Sequence, residues 1–322
     1  MRTYSIIRVK RGEERLMVVE ADEFVHQPEP DPGWQENYFL LGWDEPRACG
    51  FYVHVERFPA AGEAEVKAAL FVAGQAVSVS ERHPLTDTLD LPGLELAVDE
   101  PMHRLRMRLD VKGHAQDAGW LAQPGPGPVA MALDVEIRSR LGAADWRTVF
   151  DRLGIPGVEG EHYEVAGTWA GTLRVGDEVV EAQGLSIRDH SWGGRDYTGF
   201  DHCLWTPMVF GDGEIFVSGA SILRQGGWMG FSLIQEPGSL TVVADPVVRL
   251  TGTATPRGYS GATVVALPPD REPLRAEARV FQHIPVEYPG FAPGQYLNDG
   301  LSAVEWGSRR GFGIIELVSH HR

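Results

Sequence analysis

Residues 129–138 read Val-Ala-Met-Ala-Leu-Asp-Val-Glu-Ile-Arg, with large apolar side chains at every second position. Successive side chains on a β-strand point to opposite faces, so this period of two is typical of a strand with one buried face. The same alternation recurs at residues 105–111 and 274–280, and Gly-Asp at 176–177 and Gly-Asp-Gly at 211–213 separate further strand-like runs. The pattern predicts an antiparallel all-β protein.

The composition limits the possible partners. The 322 residues include 29 Lys and Arg against 45 Asp and Glu, a formal net charge of −16, so nucleic acid and anionic lipid are not expected partners. The first 19 residues carry scattered charges, and no window holds the 18 or so apolar residues of a membrane span. The two cysteines lack a CxxC spacing. We therefore expect a cytoplasmic protein with reduced thiols and no stable membrane insertion.

One stretch departs from the period of two. Residues 143–153 place apolar side chains at i, i+3, i+4 and i+7 from Trp146, and Gly154 follows. This spacing predicts one short amphipathic helix that covers the end of a barrel.

The chain length suggests two domains or one large barrel or sandwich.

Residues 187–197, Ile-Arg-Asp-His-Ser-Trp-Gly-Gly-Arg-Asp-Tyr, concentrate charged and aromatic side chains around a Gly-Gly turn. One interpretation is a structural corner, in which Arg188 pairs with Asp189, Arg195 pairs with Asp196, and His190 bonds to the backbone. A second is acid/base chemistry. A carboxyl group that is desolvated among Trp and Tyr side chains has a raised pKa and can protonate an alkene or an alcohol.

A metal site is the third interpretation of this region, with ligands from Asp189, His190, Asp196, Asp201 and His202. Neighbouring residues on a strand point to opposite faces, however, so a pair such as Asp189 and His190 cannot easily bind one ion. No nucleotide-binding glycine motif or HExxH motif occurs either. We therefore expect neither a metal nor another cofactor.

A second polar candidate lies near the N-terminus, in the run 34–38, Trp-Gln-Glu-Asn-Tyr. Trp34, Glu36 and Tyr38 share one face of the predicted strand. If that face is inward, the carboxylate is costly unless it is paired or protonated, which makes Glu36 a functional candidate with Tyr52 and His54 beside it on the next strand. The alternative is an outer, solvated face.

Residues 162–196 carry the pattern His-Tyr-Glu, spaced glycines, then Arg-Asp-His-Ser-Trp-Gly and Arg-Asp. This pattern resembles the hallmark of the superfamily that contains carotenoid 1,2-hydratases and AttH-like proteins, with tocopherol-cyclase-like proteins and lipocalin-type Diels–Alderases as relatives. The aromatic run 34–39 resembles an early strand of the same superfamily. The resemblance implies two lipocalin-like β-barrels in tandem, an apolar pocket, and cofactor-free hydration, cyclisation or pericyclic chemistry on isoprenoid or polyketide substrates.

We accordingly predict barrels over residues 1–190 and 191–322. The expected function is that of a cofactor-independent lyase or isomerase acting on a hydrophobic terpenoid, steroid or polyketide-like molecule; the alternative is a carrier of such a molecule. The predicted catalytic residues are Asp189, His190, Glu36 and Asp196. The predicted substrate-binding residues are Trp192, Tyr38, Trp34, Tyr197, Trp205 and His202.

Overall fold

The structure is a computed structural model, and the residues described below are 7–10, 18–116, 127–147, 149, 161–194, 202–224, 227–244, 246–252, 259–266, 268, 272–286 and 294–320. Within these ranges β-strands dominate and helices are few and short, which confirms the all-β prediction. A 3-10 helix spans Glu20–Glu23. Trp146, Arg147 and Val149 are helical, whereas the rest of the predicted helix after Val149 lies outside the described residues. No helix in the described ranges combines the length and apolarity needed to cross a bilayer.

Twenty-one strands follow one another along the described chain. They are β1 (Ile7–Lys10), β2 (Trp34–Asp44), β3 (Cys49–Phe58), β4 (Glu63–Val72), β5 (Gln75–Pro84), β6 (Leu94–Glu100), β7 (Arg104–Gln116), β8 (Pro128–Arg138), β9 (Ala144–Asp145), β10 (Glu161–Val175), β11 (Glu178–Gly194), β12 (His202–Trp205), β13 (Met208–Phe210), β14 (Ile215–Arg224), β15 (Gly227–Glu236), β16 (Ser239–Ala244), β17 (Val247–Thr251), β18 (Gly261–Ala266), β19 (Leu274–Val286), β20 (Gln295–Trp306) and β21 (Arg309–His320).

The first sheet closes on itself. Its strands pair in the order β11-β2-β3-β4-β5-β7-β8-β10, and β10 pairs in turn with β11, so every strand of this ring has two neighbours. The side chains that alternate inward form one apolar core, which includes Leu40, Phe51, Met107 and Trp169. The sheet is therefore closed as in a barrel, although β5 and β7 pair over three residues only, Ala76–Ser78 with His114–Gln116.

The second sheet pairs in the order β1-β16-β15-β14-β12-β21-β20-β19-β18-β17, with β13 against β14 and β21. One of its faces surrounds a core of its own, to which Phe210, Ala276 and Ile315 belong. The other face packs on the outside of the first sheet, where Phe39 meets Trp205 and other apolar side chains of the second sheet. We call this buried region the inter-sheet layer.

The hairpin of β10 and β11 lies at the centre of this arrangement. Gly176, whose φ is 58°, begins the two-residue turn, and the register then runs without a break from Val175 opposite Glu178 to Glu161 opposite Trp192. The domain division at 190/191 stays a prediction; β11 of the first sheet runs across it to residue 194, and β1 pairs into the second sheet.

Candidate functional site

The strands β2, β10 and β11 carry polar side chains on both of their faces. Tyr38 and Tyr163 both lie opposite His190 in the register, and these three side chains point into the first barrel. Glu164 and Phe39 both lie opposite Asp189, and these point into the inter-sheet layer. Because side chains alternate along a strand, the residues of one short motif are divided between two separate sites.

The inward-facing site, which we call the Glu36 cluster, consists of His26, Glu36, Tyr38, Arg57 and His190. Glu36 is fully buried, and its Oε1 atom lies 2.8 Å from His26 Nδ1 and 3.0 Å from His190 Nε2. The Tyr38 hydroxyl donates to the same oxygen over 3.1 Å, and Arg57 Nε lies 3.2 Å from Oε2. The carboxylate is therefore paired on both oxygens, as a buried charge requires.

These contacts decide the ionisation of Glu36. Burial by itself raises the pKa of this carboxyl group, but the hydrogen bonds from His190 and His26 and the charge of His190 outweigh it, and the pKa falls from 4.5 to about 2. Glu36 is thus an anion throughout the neutral range and is not a general acid. Burial also lowers the pKa of His190.

A second layer of contacts surrounds the Glu36 cluster. The Tyr163 hydroxyl lies 3.2 Å from His190 Nδ1 and donates to the Asp22 carbonyl over 3.4 Å. Arg188 forms a buried ion pair with Glu23, whose carboxylate also accepts the Met102 amide over 2.7 Å. The structural-corner interpretation was therefore wrong in its partners: Arg188 pairs with Glu23 rather than Asp189, and the His190 ring bonds to side chains rather than to the backbone.

The outward-facing site, which we call the Glu164 cluster, consists of Trp146, His162, Glu164, Asp189 and Trp205. Glu164 is fully buried, and its Oε1 accepts a hydrogen bond from the Trp205 indole. His162 Nε2 lies 3.8 Å from that oxygen and 3.4 Å from Asp189 Oδ2. The His162 ring lies at similar distances from the rings of Trp146 and Trp205, 6.0 and 6.1 Å between centroids.

Glu164 has the opposite ionisation behaviour to Glu36. Burial is the largest influence and raises its pKa from 4.5 to about 7, against the lowering effect of His162. Hydrogen bonds from the side chains of Ser218 and Trp146 also lower this pKa, but burial outweighs them. The side chain of His162, whose Nε2 lies 3.8 Å from Glu164 Oε1, is 24% exposed, whereas Glu164 is fully buried. A carboxyl group that is half-protonated near neutral pH is suited to general acid catalysis.

Asp299 of β20 is a second buried carboxyl group in the inter-sheet layer. The Tyr52 hydroxyl donates to its Oδ2 over 3.0 Å and so connects the two sheets. Burial raises the pKa of Asp299 to about 7, and the charge of Asp189 acts in the same direction. Tyr52 and His54 both contact Phe39, so they lie on the outer face of β3 rather than beside Glu36 as the strand pattern suggested.

These raised pKa values predict how stability depends on pH. Below about pH 4 the Asp299 carboxyl is protonated in both the folded and the unfolded chain; between its unfolded pKa of 3.8 and its folded pKa of about 7, only the unfolded chain releases the proton. The free energy of unfolding should therefore fall across that window, by up to about 4 kcal/mol. Urea denaturation of wild type and Asp299→Asn at several pH values between 5 and 8 measures this fall in the free energy of unfolding. Other titrating groups contribute to both proteins alike, so they cancel in the difference between the two.

As the pH rises from 5 to 8, the free energy of unfolding of Asp299→Asn should fall by less than that of wild type. Asp212→Asn, at an exposed turn position, serves as the control and should follow wild type. Parallel curves for wild type and Asp299→Asn would contradict the raised pKa.

The predicted site residues have three outcomes. The structure brings Glu36, Tyr38 and His190 together and stacks Trp192 on His26 beside them, at 3.8 Å between ring centroids. It places Asp189 and Trp205 in the other cluster. Four predicted residues remain. Trp34 is buried at the start of β2 opposite Gly194, and His202 bonds to the Ser319 hydroxyl outside both clusters. Asp196 and Tyr197 lie outside the described residues.

Sequence reasoning did not assign a role to His26, Arg57, His162, Glu164 or Asp299. For His162 and Glu164 a signal was present, because they stand in the His-Tyr-Glu part of the family-like pattern and the 176–177 turn sets them opposite residues 191 and 189. For the other three residues no local signal exists, since their partners are distant in sequence.

The chain belongs to the family described as a domain of unknown function (DUF7064), whose model matches residues 19–321. None of the curated proteins matches it. Solved structures that share its fold include the following three. A protein from Nitrosomonas europaea provisionally named AttH superposes with a TM-score of 0.66 at 14% identity, over 98% of this chain and 99% of that one. CghA with Sch210972 gives 0.54 at 13% identity, over 98% of each chain. Kievitone hydratase from Nectria haematococca gives 0.55 at 13% identity, over 94% of this chain and 93% of that one.

Proposed function

We propose that this protein is a lyase or isomerase of the hydratase or cyclase kind, which protonates a hydrophobic terpenoid, steroid or polyketide-like substrate from Glu164. The observation that carries the proposal is a fully buried carboxyl group with a pKa of about 7, set among indole rings. Desolvation keeps the acid protonated at neutral pH, and this is the state that can donate a proton.

The remaining members of the Glu164 cluster complete the chemistry. The indole faces of Trp146 and Trp205 stabilise positive charge that develops on the substrate carbon as the proton is transferred. In a hydration, water then adds to the cation and its surplus proton returns to the Glu164 carboxylate. In an isomerisation or cyclisation, a neighbouring C–H returns the proton to that carboxylate instead. His162, partly exposed and near both carboxyl groups, exchanges the proton with solvent. No step in this scheme requires a cofactor.

The neighbours in fold agree with this class of reaction. One of them is a hydratase by name, and CghA was crystallised with the small molecule Sch210972. Fold alone does not decide between an enzyme and a carrier, so the proposal depends on the acid and not on the likeness. We further propose that the protein acts in the cytoplasm on a small hydrophobic molecule. Nucleic acid is not proposed as a partner, because the net charge of −16 repels phosphate groups.

The test is a reaction screen in deuterated water. A panel of isoprenoid, steroid, flavonoid and polyketide compounds is incubated with the protein, and mass spectrometry detects the gain or loss of water and the incorporation of deuterium at carbon. We expect at least one compound to gain carbon-bound deuterium with wild type but not with Glu164→Gln. Glu65→Gln, a control on β4 outside both clusters, should keep the activity.

Two results would overturn the proposal. Compounds that raise the melting temperature but leave the incubation unchanged would identify a carrier. Deuterium incorporation at equal rates in wild type and Glu164→Gln would show that another group supplies the proton.

A further inference from the structure

We propose that His26, Glu36 and His190 bind one divalent ion of the zinc class at the end of the first barrel, and that this ion has a structural role. His26 Nδ1, Glu36 Oε1 and His190 Nε2 all lie within 4.8 Å of one another. Two imidazoles and one carboxylate are a ligand set that zinc takes in proteins together with a water in the fourth position. This inference does not rest on the proposed function, because it concerns the opposite face of β11.

The first argument is the crowding at one carboxylate oxygen. Four groups approach Glu36 Oε1 within hydrogen-bonding distance, namely the backbone amide of His26 at 3.0 Å, His26 Nδ1 at 2.8 Å, the Tyr38 hydroxyl at 3.1 Å and His190 Nε2 at 3.0 Å. A carboxylate oxygen offers about two lone-pair sites, so four donors exceed what it can accept well. A cation between the two ring nitrogens and the oxygen removes this excess. Both ring nitrogens then bind the ion and no longer donate hydrogen bonds to Glu36 Oε1.

The second argument is the fit of the distances. Zinc binds histidine nitrogen and carboxylate oxygen at about 2.0–2.2 Å, which sets tetrahedral ligand atoms roughly 3.3 Å apart. The two distances from Glu36 Oε1, 2.8 and 3.0 Å, are shorter by a few tenths of an ångström. To bind the ion, the carboxylate must withdraw slightly, and the two ring nitrogens, which lie within 4.8 Å of each other, must approach by up to roughly 1.5 Å.

The third argument is the set of groups behind the three ligands. The second ring nitrogen of His26 lies 3.6 Å from Asp22 Oδ1, and that of His190 lies 3.2 Å from the Tyr163 hydroxyl. Arg57 lies beside the far oxygen of Glu36, while its own guanidinium donates to the carbonyls of two loop residues, 86 and 88. Metal-binding histidines and carboxylates commonly have such outer partners, which fix the orientation of each ligand.

The position of His26 indicates what the ion does. The segment 18–33 precedes β2 along the chain and contacts β11 at two places. Glu23 pairs with Arg188, and His26 stacks on Trp192. An ion shared by His26, Glu36 and His190 ties this segment to β2 and β11. The expectation of no metal considered only residues 189–202 and did not include His26, so it missed this ligand set.

The test is the metal content of untagged protein, measured by inductively coupled plasma mass spectrometry. We expect about one zinc per chain in wild type, almost none in His26→Asn, and an unchanged content in His83→Asn. His83 is a suitable control because it also lies near a carboxylate, Glu81, but outside the site. The variant His26→Asn alters a partly exposed residue of the N-terminal segment, and its circular dichroism should match wild type.

A second measurement needs no variant. Protein stripped by a chelator should melt at a lower temperature, and added zinc chloride should restore the melting temperature, because an ion that binds only the folded state stabilises it. Equal zinc in wild type and His26→Asn would show adventitious metal and overturn the proposal. Wild type that is isolated without metal and does not respond to zinc would overturn it as well.

Discussion

Glu164→Gln should lower turnover by about 10²–10⁴-fold, the range that a positioned general acid contributes. Glutamine keeps the shape of the side chain and can still accept a hydrogen bond from the Trp205 indole, but it has no proton to donate. The melting temperature should not fall, because the substitution removes an ionisable group from a fully buried position. Initial rates at saturating substrate, with a melting curve on the same sample, measure both effects.

The pH profile distinguishes loss of the acid from a general disturbance. His162 and Asp189 are the titratable groups that face Glu164, and burial sets its own pKa at about 7. Because the acid must be protonated, the wild-type rate should fall as pH rises through about 7, and the residual rate of Glu164→Gln should lack this limb. A wild-type rate that is flat between pH 6 and 8 would count against Glu164 as the proton donor.

Glu23→Gln should lower the free energy of unfolding by about 3–5 kcal/mol, because it leaves the Arg188 guanidinium buried without a counter-charge. Both side chains are almost fully buried, at 2% and 6% exposure. The replacement also weakens the acceptor of the Met102 amide. Urea denaturation at pH 7 measures the loss.

Glu63→Gln provides the matched comparison, because Glu63 pairs with Arg82 at exposures of 44% and 53%. A pair this exposed contributes less than about 1 kcal/mol. Asp189→Asn should also have a small effect on stability, since its contact is the partly exposed His162 and not Arg188. If Glu23→Gln and Glu63→Gln cost the same, the buried pair has no special role in the fold.

Much of the β10–β11 hairpin could be predicted from the sequence. The Gly-Asp turn at 176–177 fixes which residues face each other, because in a hairpin with a two-residue turn the numbers of paired residues have a constant sum. Residue 163 must then lie opposite 190, and residue 164 opposite 189, as the structure has them. Combined with the alternation of faces, this register already separates Asp189 from His190.

The partners from elsewhere in the chain could not be predicted in this way. No local rule sets β2 beside β11, so the pairing of Tyr38 with His190 depends on how the barrel closes. The same holds for Glu23 with Arg188 and for Tyr52 with Asp299, whose partners are joined only by tertiary packing. The ionisation of Glu36 followed from these distant contacts, and the strand pattern alone left it open.

The unbroken register of β10 and β11 restricts how the length of this hairpin can change during evolution. Insertion or deletion of a single residue between the turn and Arg188 would turn Asp189 into the barrel and His190 into the inter-sheet layer, because the side-chain period is two. Both sites would be lost in one event, whereas a change of two residues keeps every side chain on its own face. Natural variation in the length of these strands should therefore occur in even steps.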